Sequence, residues 1–345
     1  MELLTRDQFR ERVQARDQNR CIVCGKTGKL DSHHVVERRL FSDGGYYMDN
    51  GVSLCDPDCH MKAESTEISC DTLRELAGIK TIVLPGHLYA DDTYDKWGNQ
   101  ILPNGNRLRG ELFWDESVRA VIKPYLHLFQ KHTKPPRTWR LPWNPDPKGD
   151  DRILPDTSYF QKKEVVVTTK MDGENVSIYG PDGYCHARKV EPINTPDSDR
   201  VKALAATIGS EIPDEWRVCG ESLIRQHTIH YQNLKPHQNW FYQVFNIWDR
   251  NNNCLHWDQV VEWAELLDLP VVQVLYRGVY NENLIRDLYK PTYDEDPMEG
   301  YVVRLVEPFP FKDYRKAVGK FVRPNFQQPQ THKWRYQKPV YNSTR

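Results

Sequence analysis

Two kinds of hydrophobic pattern alternate along the second half of the chain. Apolar residues recur at helical spacing in DRVKALAATIG (199–209) and WDQVVEWAELLDL (257–269). Between them lie short runs rich in β-branched and aromatic residues, which predict strands at 165–169, 174–179, 216–219, 240–248, 271–276 and 301–306. The alternation of the two patterns predicts a mixed α+β domain.

The first 135 residues are organised differently. They open with an amphipathic helical pattern, followed by a cluster of cysteines and histidines. DTLRELAG (71–78) has an aspartate cap and a closing glycine, and DESVRAVIKPYLHLF (115–129) has helical spacing with a kink expected at Pro124. We expect a compact module over 1–135, a proline-rich linker over 136–156 and a second domain over 157–345, because six prolines fall within residues 134–156.

Composition agrees with two domains in a protein that does not span a membrane. The 345 residues, 39% hydrophobic and 11% aromatic, exceed the size at which single cores usually stop growing. No apolar run reaches about 18 residues, and the charged N-terminal stretch lacks a signal-peptide pattern, so we expect a cytoplasmic protein. Because the net charge is −1, any nucleic-acid binding must come from local patches.

Four of the eight cysteines fall within 39 residues, as Cys21, Cys24, Cys55 and Cys59. Two close pairs of thiolates suit tetrahedral zinc, which favours sulfur ligands in closed structural sites. A disulfide framework is disfavoured because nothing indicates an oxidising compartment. The spacing predicts a structural Zn²⁺ site, with buried free cysteines as the alternative.

His33, His34, Asn50 and His60 stand between and beside these cysteines. The arrangement resembles the HNH nuclease motif, a ββα-metal fold. That resemblance implies that His34 is the general base, His33 and His60 hold a catalytic metal, and Asn50 is a positioning residue. Glu64, four residues after His60, could face the same site or be a solvated carboxylate. The alternative is a module that only binds nucleic acid or stabilises the partner domain.

The stretch VVVTTKMDGENVSIYG (165–180) places Lys170 at the end of a strand-like run, followed by Asp172 and Gly173. A lysine becomes a nucleophile only after losing its proton, and its ordinary pKa is about 10.4. Desolvation and bound cations would lower that pKa. Strand alternation predicts Asp172 on the same side as Lys170, and Gly173 leaves space for a ligand to approach the backbone.

KMDGEN (170–175) opens an ordered series with HARK (186–189), CGESL (219–223), WFYQVFNIWD (240–249), MEGYVVR (298–304) and VGKFVR (318–323). The series resembles the motifs of covalent nucleotidyltransferases, the polynucleotide ligases and mRNA capping enzymes. That resemblance implies an ATP-grasp-like domain of antiparallel sheets and helices, which uses ATP with Mg²⁺ or Mn²⁺. The last motif carries Val318 where the family's first lysine would stand. The resemblance implies that Lys170 attacks the α-phosphate and that Asp172 and Gly173 belong to the nucleotide site. It also implies that Arg188 contacts phosphate, Glu221 contacts the ribose and Phe245 contacts the purine. Glu299 would bind the metal, and Lys320 with Arg323 would bind the α-phosphate.

Among these enzymes, the short stretch after Arg323 favours RNA ligases, with the nick-sealing RNA ligase 5 family as the nearest likeness. The resemblance implies an ATP-dependent RNA ligase that joins a 3′-hydroxyl to a 5′-phosphate through lysyl-AMP and RNA-adenylate, in nucleic-acid repair. Its partner would be RNA or a nicked RNA/DNA duplex. Two alternatives remain open: a GTP-dependent guanylyltransferase, and an HNH-type metal-dependent nuclease with a ligase-like domain.

Residues 312–345 hold nine lysines or arginines and a single acid, Asp313. Basic groups track phosphates and aromatic faces stack on bases, so the segment predicts a nucleic-acid contact strip, with a solvated basic tail as the alternative. The interleaved aromatic residues are Tyr314, Phe321, Phe326, Trp334, Tyr336 and Tyr341.

Overall fold

A computed structural model describes residues 1–144, 151–195, 197–324, 326 and 338–345. The chain divides into two compact units, Met1–Lys134 and Pro135–Arg345. Helices and sheets occur in both units, which confirms the predicted mixed α+β class. Within the described ranges, no helix is long and apolar enough to cross a membrane.

The first unit combines short helices with two-stranded sheets. β1 pairs antiparallel with β2, with Leu30 opposite Cys55 and His34 opposite Gly51, and α2 follows directly. The result is a strand–strand–helix arrangement. Its elements are α1 (Arg6–Arg16), β1 (Leu30–His34), β2 (Gly51–Cys55), α2 (Asp58–Glu64), α3 (Cys70–Leu76), β3 (Thr93–Tyr94), β4 (Gln100–Ile101) and α4 (Glu116–Ile122).

Two helix ends in this unit differ from their sequence-based predictions. The cap of α3 is Ser69, whose side chain accepts from the Thr72 amide at 3.0 Å, and not Asp71. The expected kink at Pro124 is a change of helix type, because α4 ends at Ile122 and a 3-10 helix continues over Lys123–Leu128. Proline removes the amide that an α-helix needs at this position.

The second unit contains two larger sheets with helices. Its elements are β5 (Trp139–Arg140), β6 (Glu164–Lys170), β7 (Glu174–Tyr179), β8 (Cys185–His186), α5 (Asp199–Ile208), β9 (Arg217–Ser222), β10 (Tyr242–Trp248), β11 (Asn253–Cys254), α6 (Trp257–Leu266), β12 (Val274–Val279), α7 (Glu282–Arg286), β13 (Thr292–Tyr293), β14 (Asp296–Pro297), β15 (Gly300–Leu305), β16 (Phe309–Pro310), α8 (Tyr314–Ala317) and β17 (Val318–Val322).

The strand order is β16-β11-β10-β9-β7-β8 in one sheet and β12-β6-β15-β17-β5 in the other. β6 is buried on both faces, because Val166 packs into one apolar cluster while Val165 and Val167 pack into another. Two-sided burial explains why this strand is a continuous run of valines instead of an alternating pattern. The cluster that contains Val166 is called the helix cluster and includes Val176, Ile178, Val201, Leu204, Val244 and Val260. The cluster that contains Val165 and Val167 is called the sheet cluster and includes Leu141, Trp248, Tyr301, Val303 and Val318.

One strand is displaced from its predicted range, since 271–276 was expected and β12 spans Val274–Val279. Val271 and Val272 are instead held by β10: Val244 donates to the Pro270 carbonyl at 2.8 Å, and Val272 donates to the Val244 carbonyl at 2.9 Å. These valines are apolar because they pack in the helix cluster, and not because they continue the strand.

β5 lies within the stretch 136–156 that was expected to be a linker, of which 145–150 fall outside the described residues. β5 pairs in parallel with β17 and brings Arg140 opposite Lys320. The proline-rich segment therefore contributes a strand to the five-stranded sheet.

Candidate functional site

Lys170 ends β6 and lies opposite Gly300 at the start of β15. This register brings Glu299 beside the lysine, and the Lys170 Nζ lies 2.6 Å from Glu299 Oε1. Glu299 is 2% exposed, whereas the Lys170 side chain is 21% exposed, so the lysine is the solvent-accessible partner of the ion pair. Two residues 129 positions apart, which the sequence placed in separate motifs, thus form one group.

Acidic side chains dominate the electrostatics around Lys170. Burial lowers the pKa of Lys170, but Glu299, Glu221 and Asp172 together outweigh burial and raise it. Burial raises the pKa of Glu221 to about 7 and also raises that of Glu299. Among the chain's own groups, burial alone does not lower the pKa of Lys170 below its ordinary value, because several carboxylates surround a single ammonium group.

Asp172 is held by a loop, Leu223–Leu234, that follows β9. Its Oδ2 accepts from the amides of Thr228 and Ile229, both at 2.7 Å, and its own amide donates to the Tyr231 hydroxyl at 3.0 Å. Asp172 is 2% exposed. Sequence reasoning missed this loop because it is irregular and matches no motif.

Gly173 makes a close approach to β9. Its amide donates to Glu221 Oε1 at 3.1 Å, and a Cβ at this position would lie 2.3 Å from the Ser222 carbonyl oxygen. The glycine is thus required by a neighbouring strand of the protein itself, whereas the sequence suggested room for a ligand. It fixes Glu221 beside Lys170.

Arg188 and Phe245 lie at different depths. Arg188 is exposed in the bend after β8, and its charge opposes the rise in the Glu221 pKa. Phe245 is half-buried at a β-bulge of β10 and packs against both the helix cluster and the sheet cluster. Arg188 is therefore available to a ligand, while Phe245 also has a packing role.

Lys320 belongs to a second charged group on the five-stranded sheet. Its Nζ donates to Asp151 Oδ1 at 2.9 Å, and Arg140 Nε donates to Asp151 Oδ2 at 2.7 Å. Burial lowers the pKa of Lys320, although the Asp151 hydrogen bond opposes this. Neither Arg140 nor Asp151 could be recognised as a site residue from the sequence, since both lie in the proline-rich stretch.

Arg323 follows β17, and its amide donates to the Glu299 carbonyl at 2.9 Å. Its guanidinium lies over Phe326 at 5.2 Å. The prediction that Tyr314 belongs to a nucleic-acid contact strip is wrong, because Tyr314 is 6% exposed and packs in the sheet cluster. The ring of Phe321 stacks on Tyr301, with ring centroids 4.9 Å apart. The predicted strip residues Trp334 and Tyr336 lie outside the described residues.

A cavity of about 330 Å³ lies between the start of β7, the end of β9 and the beginning of α5. It is lined by Glu174 of β7, Ser222 of β9, His227 of the loop Leu223–Leu234, and Asp197 and Val201 near the start of α5, among others. Ser222 and Glu221 are neighbours on one strand and point to opposite faces, so this cavity is separate from the Lys170 group.

In the first unit, the structure brings together the four predicted cysteine ligands. The sulfur atoms of Cys21, Cys24, Cys55 and Cys59 all lie within 4.8 Å of one another, and those of Cys24 and Cys55 are 3.6 Å apart. Four thiolates at about 2.3 Å from one zinc stand about 3.8 Å apart in a tetrahedron. The geometry fits a zinc ion.

A second group of possible metal ligands consists of His33, His60 and Glu64, whose ligand atoms lie within 4.8 Å of one another. Glu64 Oε1 lies 3.3 Å from His60 Nε2 and 3.4 Å from His33 Nδ1. His33 is 2% exposed, and neither of its ring nitrogens has a hydrogen-bond partner within the described part of the chain. Lys96, which sequence reasoning missed, lies 3.0 Å from Glu64 and donates to the His34 carbonyl.

His34 has different surroundings, because neighbouring strand residues point to opposite faces. Its ring stacks on Phe9 at 4.5 Å, and burial lowers its pKa to about 4. Asn50 is buried and joins the two sides of the hairpin: it accepts from the Val36 amide at 2.9 Å and donates to the Val36 and Gly45 carbonyls. The three hydrogen bonds of Asn50 are those of a positioning residue.

Residues 163–322 match the family model described as RNA ligase. The chain is similar to an archaeal ATP-dependent RNA ligase (18% identity, TM-score 0.40, 55% of this chain and 48% of that chain). It is also similar to a Naegleria gruberi RNA ligase mutant with ATP and Mn (16%, 0.34, 47% and 50%) and a putative ATP-dependent DNA ligase from Aquifex aeolicus (20%, 0.36, 47% and 44%). The chain thus spans about half the length of these ligases. No curated protein matches it.

Proposed function

We propose that the chain is an ATP-dependent RNA ligase, which joins a 3′-hydroxyl to a 5′-phosphate in RNA or a nicked RNA/DNA duplex during nucleic-acid repair. The observation that carries this proposal is the ion pair of the partly exposed Lys170 with the buried Glu299, which lies inside the region matching RNA ligases. A lysine held among several carboxylates is a candidate functional group, which supports the proposal.

In the first step, the Lys170 amino group attacks the α-phosphate of ATP, so that an N–P bond forms and pyrophosphate leaves. AMP then passes to the RNA 5′-phosphate, and the 3′-hydroxyl displaces AMP to form the phosphodiester. Glu221 binds the ribose hydroxyls, and Phe245 contacts the purine. Asp172 and Gly173 keep the end of β6 and Glu221 in place.

The acidic residues around Lys170 suit a divalent cation, because Mg²⁺ and Mn²⁺ prefer carboxylate oxygens. Glu299, Glu221 and Asp172 all raise the pKa of Lys170, so carboxylates outnumber the ammonium group there. Glu299 is the proposed ligand. When bound, such a cation would stabilise charge on the α-phosphate and lower the pKa of Lys170.

Arg188, Lys320 and Arg323 are the proposed phosphate-binding residues. The sequence has Val318 where the first lysine of the motif was expected, and Arg140 stands opposite Lys320 on the neighbouring strand. We assign to Arg140 the positive charge that Val318 does not supply. A guanidinium also offers two parallel donors to phosphate oxygens.

Covalent labelling tests the proposal. The protein is incubated with α-labelled ATP or GTP and Mg²⁺ or Mn²⁺, denatured, and examined for attached label. A ligase gives label from ATP that is absent in Lys170→Ala, whereas label from GTP alone indicates a guanylyltransferase. Sealing of nicked duplexes with RNA or DNA on each side of the nick then identifies the substrate.

The His33–His60–Glu64 group favours a second activity, a metal-dependent nuclease of HNH type. These side chains come from β1 and α2 of the strand–strand–helix arrangement, and an imidazole and carboxylate set suits a divalent metal. His34 is the proposed general base, a role in which its ring would have to leave its stacking on Phe9 and turn toward this group. Asn50 is the proposed positioning residue, and the four cysteines would hold a structural zinc. Cleavage of labelled RNA and DNA with each divalent metal, compared between the wild type and His60→Ala, tests this activity.

A further inference from the structure

The loop Leu223–Leu234 holds Asp172, one of the two residues between Lys170 and Gly173. It fixes Asp172 at both ends, since two loop amides bind the carboxylate and the Tyr231 hydroxyl accepts from the Asp172 amide. Leu223 and Tyr231 also anchor a small apolar cluster against which Met171 packs. The position of the chain after Lys170 therefore depends on the order of this loop.

The loop itself contains no helix or extended strand, so other parts of the chain must hold its backbone. The segment 338–345 supplies several of those bonds. Gln226 donates to the Val340 carbonyl at 2.9 Å, and Ser343 donates to the Tyr231 carbonyl at 3.0 Å. Two isolated β-bridges join the segment to the loop, one antiparallel at Arg225 and Tyr341 and one parallel at Leu234 and Thr344.

Asn342 joins the beginning of this loop to its end. Its Nδ2 donates to the Leu223 carbonyl at 2.9 Å, and its Oδ1 accepts from the Tyr231 amide at 2.8 Å. The side chain is 5% exposed, so both bonds are protected from competing water. Leu223 directly follows the end of β9, where Glu221 lies, and Tyr231 carries the hydroxyl that holds Asp172.

We propose that Asn342 is a positioning residue for the Lys170 site. This inference rests on the proposed ligase function. Asn342 does not act on the nucleotide; it holds Leu223 and Tyr231 at a fixed separation, and through them Glu221 and Asp172 on either side of Lys170. The segment 338–345 is thereby part of the ligase site.

The test is the rate of lysyl-AMP formation in a single turnover at varied ATP concentration, together with the thermal unfolding midpoint. Asn342→Ala removes both side-chain bonds, and the reacting groups lose their alignment. We expect the maximal rate to fall about 10- to 100-fold, because small misplacements reduce alignment of the reacting atoms strongly. The ATP concentration at half-maximal rate should change much less. A full maximal rate with a lower unfolding midpoint would show a merely structural role and overturn the proposal.

Tyr231→Phe provides an independent variant that keeps the ring in its apolar cluster. It removes only the Tyr231 hydroxyl, which accepts a hydrogen bond from the Asp172 amide. It should show the same loss of maximal rate, and a folded Tyr231→Phe protein with the wild-type rate overturns the proposal even if Asn342→Ala does not fold. Asn281→Ala is the matched control, since it removes an amide side chain that caps α7. Label that disappears in Lys170→Ala establishes the ligase chemistry separately, whereas a wild type without label overturns both proposals.

Discussion

At the scale of single residues, the close approach of Gly173 to β9 gives a specific prediction. Gly173→Ala places a Cβ 2.3 Å from the Ser222 carbonyl oxygen, so either β9 or the turn after Lys170 must move. We expect a loss of about 1–3 kcal/mol in the free energy of unfolding, typical of overpacking. Lysyl-AMP formation should fall by at least about 10-fold, because Glu221 and Lys170 are displaced together. Denaturant unfolding and covalent labelling measure the two effects.

Gly86→Ala is the control, since nothing lies within 4 Å of a Cβ at this exposed glycine. It should leave labelling and the denaturation midpoint close to those of the wild type. Wild-type labelling by a folded Gly173→Ala protein would show that the spacing between Lys170 and β9 does not limit the reaction.

Arg140 gives a second prediction at this scale. Arg140→Ala should raise the KM for ATP about 10-fold, equivalent to about 1.4 kcal/mol, because a charge opposite Lys320 is lost from the proposed phosphate site. Arg277→Ala is the comparison, as its ion pairs with Asp258 and Glu164 are on the surface and contribute little. An unchanged KM for Arg140→Ala would exclude it from ATP binding. Steady-state labelling at varied ATP concentration distinguishes these results.

The sequence could indicate Lys170 and Glu299 because motif order constrains both. It could not indicate Arg140, Lys96 or Asn342, whose roles depend on tertiary neighbours rather than on nearby sequence. Arg140 reaches Lys320 through a two-residue strand in a proline-rich stretch, and Asn342 reaches Tyr231 across 111 positions. No periodic pattern accompanies either contact.

At the scale of elements, the four cysteines connect pieces of the first unit that are too short to be stable alone. Cys55 ends β2 and Cys59 lies in α2, while Cys21 and Cys24 belong to the turn before β1. Cys55→Ser should therefore reduce bound zinc from about one ion per chain to less than half and lower the thermal midpoint of this unit. Elemental analysis and circular dichroism measure the two changes.

Cys70→Ser is the matched control, because Cys70 is buried in the same unit but its sulfur contacts the Val35 carbonyl instead of the other cysteines. It should retain the zinc. Equal zinc loss in both variants would point to general unfolding and contradict a site built from the four cysteines.

Pattern reasoning at this scale succeeded where burial is regular and failed where it is not. β6 is a run of valines buried on both faces, so its apolar signal is strong. The displaced start of β12 and the Ser69 cap of α3 depend on single hydrogen bonds, for which hydrophobic periodicity gives no signal.

At the scale of the whole molecule, each unit carries a candidate site built from its own residues. The Lys170 group draws only on residues after Pro135, and the His33–His60–Glu64 group only on residues before it. The two proposed activities should therefore separate by mutation. Lys170→Ala should abolish covalent labelling and nick sealing while leaving metal-dependent cleavage of nucleic acid unchanged.

His60→Ala should have the opposite effect, because it removes one of three candidate metal ligands from the first unit and none from the second. Cleavage should fall at least about 10-fold, in line with the loss of a group that orients the metal, while labelling remains at the wild-type rate. Both activities are measured on the same purified chain of residues 1–345, at one metal concentration, with zinc content determined in parallel. A His60→Ala protein that keeps its zinc yet loses both activities would show that the sites depend on each other, whereas undiminished cleavage would place any nuclease chemistry outside the His33–His60–Glu64 group.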